Sequence, residues 1–176
     1  QIAASDANQD GTTLTVGDLV YLLRVVVGDA LPFPKLSPFA NSASVSFNNG
    51  LLSTESSVEI GALHLTFNVT GDYEIANSSD MEVISSEDNG VISVLVYSGL
   101  DDLSKRLSAG HNDLFSIAGD VELLSVSVSD YNGNMLTTSI GKNVLPTAFR
   151  LSQNTPNPFN PVTKIGLDLQ VASDWT

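Results

Sequence analysis

Apolar residues are spaced in three different ways along this chain. Between Leu19 and Val27, the residues Leu19, Val20, Leu22, Leu23, Val26 and Val27 recur at helical spacing. Thr15 stands before them as a candidate N-cap with Asp18 three residues on, and Gly28 follows as a stop, so a short, broadly apolar helix is expected. From about Ser42 to Ile140 the spacing shortens to alternating or continuous β-type runs separated by Gly, Asn, Asp and Ser. Strands are expected at 44–47, 57–69, 81–84, 90–98, 114–117, 121–129 and 134–140, with hairpin signals at Asn89-Gly90 and Asn132-Gly133. Residues 98–112 read as the longest irregular stretch. Near the end, Ile165, Leu167, Leu169 and Val171 alternate with Lys164, Gly166, Asp168 and Gln170, the pattern of a strand with one apolar face. Such a strand must pack against something, either the chain's own sandwich, further sequence or another subunit.

These periods divide the chain into a loop and helix at 1–31, a Pro-rich connector at 32–41, a β-region at 42–141 and a tail at 146–176. The connector contains Pro32, Pro34 and Pro38, whose fixed φ discourages both helix and central strand. The fold class expected is mainly β, an antiparallel jelly-roll-like β-sandwich with a small N-terminal loop and helix element.

The 176 residues are 42% hydrophobic, enough to bury a core, and carry 7 Lys and Arg against 20 Asp and Glu, a formal charge of −13. Phosphate backbones and anionic membranes are repelled by such a charge, so nucleic acid is not expected as a partner. No apolar run is long enough to span a bilayer, and no signal peptide opens the sequence, which is expected to start inside a longer precursor. Hard cations that take oxygen ligands are favoured instead. With no cysteine present, disulfides and thiolate metal sites are excluded.

Candidate chemistry concentrates in Asp6-Ala7-Asn8-Gln9-Asp10-Gly11, where side-chain oxygens at alternate positions can converge on one calcium ion and glycine permits the sharp turn. Thr12 or Thr13 would present a backbone carbonyl, and Asp18 in the first turn of the helix is the expected closing ligand. The alternative is a metal-free Asx-turn that caps the helix. A twelve-residue loop begun at Asp6 would end at Gly17, so Asp18 stands one place late and the loop holds an extra residue.

The segment DANQDGTTLTVGDLVYLLRVVVG resembles one half of a dockerin, the calcium-dependent module that docks onto cohesins. That resemblance implies Asp6, Asn8, Asp10 and Asp18 as calcium ligands, with Leu22, Leu23, Val26 and Val27 as packing or partner-contact positions. A second half is expected upstream. The strand rhythm of 42–140 and its GVISVLVYSGL segment are similar to a cohesin. The tail LPTAFRLSQNTPNPFNPVTKI resembles the opening of a type IX secretion C-terminal sorting domain, which implies a secreted bacterial protein and a domain cut short here.

Neither His64 nor His111 lies in a nucleophile or metal motif, and paired acids such as Asp101-Asp102 fall where solvated turns are expected, so catalysis is not expected. Tyr73, Tyr97 and Tyr131 are scattered rather than grouped as a sugar platform. The function expected is extracellular, calcium-dependent assembly. Its partners would be copies of the chain or another cohesin- or dockerin-bearing protein, met through the helix and through strand addition by Ile165, Leu167 and Leu169. The competing reading is a sandwich that binds carbohydrate or a foreign protein, with the small element merely packed against it.

Overall fold

The computed structural model describes residues 6–32, 41–98, 105–141, 150–151 and 167–168. Two compact units are present, Gln1–Gly141 and Lys142–Thr176. The second contributes a short antiparallel pair, β8 (Arg150–Leu151) with β9 (Leu167–Asp168). The connector at 33–40 and the rest of the alternating tail, including Ile165 and Leu169, lie outside the described residues.

In the first unit, helix α1 (Val16–Val26) precedes β1 (Ser42–Asn48), β2 (Leu51–Ser56), β3 (Ile60–Asn77), β4 (Glu82–Asp88), β5 (Val91–Tyr97), β6 (Gly110–Asp130) and β7 (Thr137–Gly141). The seven strands hydrogen-bond in the order β4-β5-β3-β6-β2-β1-β7. Every pairing is antiparallel except β1 with β7, which is parallel. No helix among the described residues is long and apolar enough to cross a membrane.

The fold is mainly β and forms a sandwich because its two longest strands bend. β3 and β6 lose register together between Thr70 and Glu74, opposite Ala118 to Asp120. At that corner a Cβ on Gly119 would sit 2.8 Å from the Asp72 carbonyl oxygen, so only glycine allows the approach. Bending brings both halves of the sheet around one core. Val45 of β1, Leu52 of β2, Leu63, Leu65 and Phe67 of β3, Val94 of β5 and Phe115 of β6 are buried in a single cluster. Phe67 packs edge-to-face on Phe47 and Phe115, with ring centroids at 5.2 and 6.3 Å.

Some elements differ from the sequence expectation. β2 has no counterpart among the expected strands, since LLSTES has no apolar alternation, yet Ser53, Thr54 and Ser56 are buried there. Its turn, Asn49-Gly50, takes positive φ at both residues, as does Asn89-Gly90. The strands expected at 114–117 and 121–129 are one strand, β6, continued through the Gly119 bulge. β6 also begins at Gly110, inside the stretch expected to be irregular. At Asn132-Gly133 only the glycine has positive φ, and the turn is organised from Asp130 instead. Its buried carboxylate accepts the backbone N–H of Asn132 and of Asn134, both at 2.8 Å, and the Asn134 side-chain amide at 2.9 Å.

Candidate functional site

Helix α1 is capped at both ends as its sequence suggests. Thr15 Oγ1 accepts the Asp18 N–H at 3.2 Å while Asp18 Oδ2 accepts the Thr15 N–H at 2.8 Å, a reciprocal capping box. At the other end Gly28 has φ of 83°, and the Gly28 and Asp29 N–H groups bond back to Val25 and Arg24 carbonyls.

The loop before the helix is drawn together by the side chains singled out as ligands. The Asp10 N–H donates to Asp6 Oδ1 and to Asn8 Oδ1, each at 3.1 Å, so those two oxygens gather around one point. Asp6 Oδ2 accepts the Gly11 N–H and Asp10 Oδ1 accepts the Thr12 N–H. Asp18 is placed differently from the other three. Its Oδ1 accepts the N–H groups of Ala7 and Asn8, and its Oδ2 accepts the N–H and the hydroxyl of Thr15. A carboxylate has about four acceptor sites, so Asp18 is filled by tying the loop's start to the helix. Among the described residues no three His, Asp or Glu side chains are arranged as a metal site, and none of Asp6, Asp10 and Asp18 has an ion-pair partner.

The whole element sits on the sandwich of the same chain. Asn8 is only 2% exposed, and its Nδ2 donates to the Gly133 carbonyl at 2.7 Å and to Asp10 Oδ2 at 3.0 Å. Val16 and Val20 are buried against Ala62 of β3, with Leu95, Tyr97 and Met135 packed around them. Three glycines permit this closeness. A Cβ on Gly17 would lie 2.5 Å from the Gly133 oxygen, one on Gly61 would lie 3.0 Å from Val20 Cγ1, and one on Gly133 would lie 2.9 Å from the Gly17 oxygen.

A clasp closes the C-terminal end of the helix. The guanidinium groups of Arg24 and Arg106 both stand over the Tyr131 ring, 4.8 and 4.1 Å from its centroid. Asp29 Oδ2 accepts Arg24 Nε at 2.8 Å and the Tyr131 hydroxyl at 3.1 Å. Arg24 Nη1 reaches the Tyr131 carbonyl and Asn132 Oδ1, and Arg106 pairs with Glu59 at 3.0 Å. The Arg24 hydrogen bond holds the Asp29 carboxyl below its usual 3.8, whereas burial and the bond to Asp29 push the Tyr131 phenol up.

Of the expected partner positions on α1, Leu23 is half-buried while Leu22, Val26 and Val27 are exposed, at 52%, 67% and 43%. Leu167 falls in the backbone pair with Leu151. Beside the helix N-terminus, Leu14, Leu19, His64, Leu95, Ser127 and Met135 line much of an open groove of about 370 Å³. His64 Nε2 is 2.8 Å from Ser93 Oγ there, and the other histidine, His111, lies 3.1 Å from Asp113 on the surface. The clasp and Asp130 are not among the residues the sequence singles out. The Asn-Gly turn marked the place, but nothing local linked it to residues more than a hundred positions away.

No family model matches the sequence, and no curated protein matches it. In structure the chain is similar to cohesin modules. One is a non-cellulosomal cohesin from the hyperthermophilic archaeon Archaeoglobus fulgidus, 13% identical with a TM-score of 0.40 over 58% of this chain and 86% of that one. A second is in the Coh-OlpC–Doc435 cohesin–dockerin complex of Clostridium thermocellum, 8% identical with a TM-score of 0.39 over 61% and 92%. A third is the second type II cohesin module of the ScaA scaffoldin of Acetivibrio cellulolyticus, 6% identical with a TM-score of 0.37 over 60% and 95%.

Proposed function

We propose that this protein is an extracellular, non-catalytic assembly module that associates with copies of itself or with a cohesin- or dockerin-bearing partner, and that calcium orders its N-terminal loop. The observation that carries the assembly reading is that α1 has two apolar faces. One, with Val16, Val20 and Tyr21, is buried on the chain's own sheet, and the other leaves Leu22, Val26 and Val27 in water. A surface helix needs one apolar face to pack on its domain, and a second is a mark of an interaction site.

The calcium reading is supported by the first half of the loop. Asp6, Asn8 and Asp10 present side-chain oxygens, those of Asp6 and Asp10 from carboxylates without ion-pair partners among the described residues, and the Thr12 carbonyl would complete that half. Asp18 supports it by position, as the residue that holds the loop on the helix, and ligation by Asp18 would require it to give up the Ala7 and Asn8 bonds. If Asp6, Asn8, Asp10 and Gly11 fill positions 1, 3, 5 and 6 of a calcium loop and Asp18 fills the last, the extra residue falls within 12–17. Leu14 lies there, with φ of 60° and 84% exposed, as an inserted residue would. Calcium bound there would supply the charge that holds the two carboxylates together.

Sedimentation velocity in calcium tests the assembly reading, with wild type compared to the double variant Leu22→Asp, Val26→Asp. Assembly by the wild type and its loss in the variant is the expected result. Equal behaviour of the two proteins would remove the helix face from the account.

A further inference from the structure

We propose that the seat of α1 on the sandwich is an exchangeable interface, and that its second occupant is the α1 of another copy of this chain. The proposal rests on the assembly reading above and adds to the outer face of α1 a second contact between copies, made by the face that is buried within one chain. The seat is shaped for this helix and for little else. Gly17 of α1 meets Gly133 backbone to backbone, Val20 Cγ1 would stand 3.0 Å from a Cβ on Gly61, and Tyr21 Cβ would stand 3.0 Å from one on Gly133. A foreign helix would need a glycine at the position of Gly17 and a guanidinium one and a half to two turns further on to reach Tyr131 and Asn132, as Arg24 does. A second copy supplies both.

The clasp sets how readily the seat opens. Its ion pairs are partly exposed, at 16% and 46% for the side chains of Arg24 and Asp29, and pairs in such positions hold weakly and yield to salt. Opening uncovers Val16, Val20 and Ala62, and reseating on a neighbour covers the same residues again, so the apolar burial given up within one chain is restored between two. The equilibrium is therefore governed by concentration and by the connection. Ten residues, 32–41, join the helix element to β1, and an extended chain of that length reaches roughly 35 Å, about the width of a small domain.

Two single variants of the full chain, Val20→Cys and Gly61→Cys, provide the test, because the native sequence has no cysteine. After the two are mixed at high concentration and oxidised, a disulfide joining residue 20 of one copy to residue 61 of the other forms only if helices have exchanged. The expected result is a mixed dimer on a non-reducing gel, absent when either variant is oxidised alone. Since Gly61→Cys crowds the Asp130 carbonyl, a second mixture of Arg24→Cys and Asn132→Cys, bridged by a short bis-maleimide, serves as the check. Tyr131→Ala added to the Val20→Cys and Gly61→Cys pair, where Arg24 and Asn132 are intact, is expected to speed cross-linking several-fold, with a similar effect of raised salt. Absence of mixed dimer in both pairs overturns the exchange, and an unchanged rate with Tyr131→Ala overturns the role of the clasp. If wild type assembles in calcium while neither pair cross-links, exchange fails and the assembly reading stands; if wild type stays monomeric throughout, it is the assembly reading that fails.

Discussion

Gly17→Ala separates a docked helix from a free one by the sign of its effect. In an exposed helix, replacing glycine by alanine stabilises by about 1 kcal/mol, because alanine has less backbone freedom to lose. Here the new Cβ would be placed 2.5 Å from the Gly133 oxygen and 2.9 Å from Asn8 Nδ2. Backbone cannot yield there cheaply, since the Gly133 turn is held by the buried Asp130 carboxylate. The helix must therefore lift. Lifting strains the Asn8 to Gly133 hydrogen bond, worth about 1 kcal/mol, and loosens the burial of Val16 and Val20, and overpacking of this kind costs about 1–3 kcal/mol. Set against the gain in propensity, the net expectation is a loss of about 1–2 kcal/mol, read as a lower urea midpoint by circular dichroism at unchanged slope. A midpoint higher than that of wild type would refute cis docking of α1.

Phe67→Ala removes the ring that bridges Phe47 and Phe115 in the core, and a loss of about 3–5 kcal/mol in chemical denaturation is expected. Asp18→Ala strips four hydrogen bonds and the capping box, so a loss of at least about 2 kcal/mol without added metal is expected in the same assay, larger than the roughly 1 kcal/mol for Thr15→Ala. Asp29 is held below its ordinary 3.8 by Arg24, so its contribution is present above that value and lost as pH falls through the lower folded value. A pH titration should therefore show the Tyr131 environment loosening only in acid. Tyrosine fluorescence that changes equally in Asp29→Asn would contradict this assignment.

The parts of the fold that were legible in the sequence are those in which the local signal and the packing agree. Thr15, Asp18 and Gly28 specify the ends of α1 by backbone hydrogen bonding within a few residues, and Asn89-Gly90 specifies a turn by positive φ. β2 was hidden because its buried face is made of Thr54 and Ser56 as well as Leu52. β6 was cut in two because Ala118-Gly119-Asp120 reads as a turn locally, while its conformation is dictated by Asp72 and Tyr73 across the bend. The candidate site was half legible. Alternate oxygens at Asp6, Asn8 and Asp10 show in the sequence, but the commitment of Asp18 to hydrogen bonding and of Asn8 to Gly133 depends on where the helix lands. Tyr131 looked isolated for the same reason, since Arg24 and Arg106 meet it only after folding.

Size-exclusion chromatography with light scattering, run on one sample with excess calcium and then with chelator, tests the central claim most directly. Growth into assemblies with calcium and return to smaller species with chelator is the result expected of a calcium-ordered assembly module. A monomer of unchanged mass in both conditions would contradict it, and would leave the N-terminal element as a fixed part of a sandwich with some other ligand.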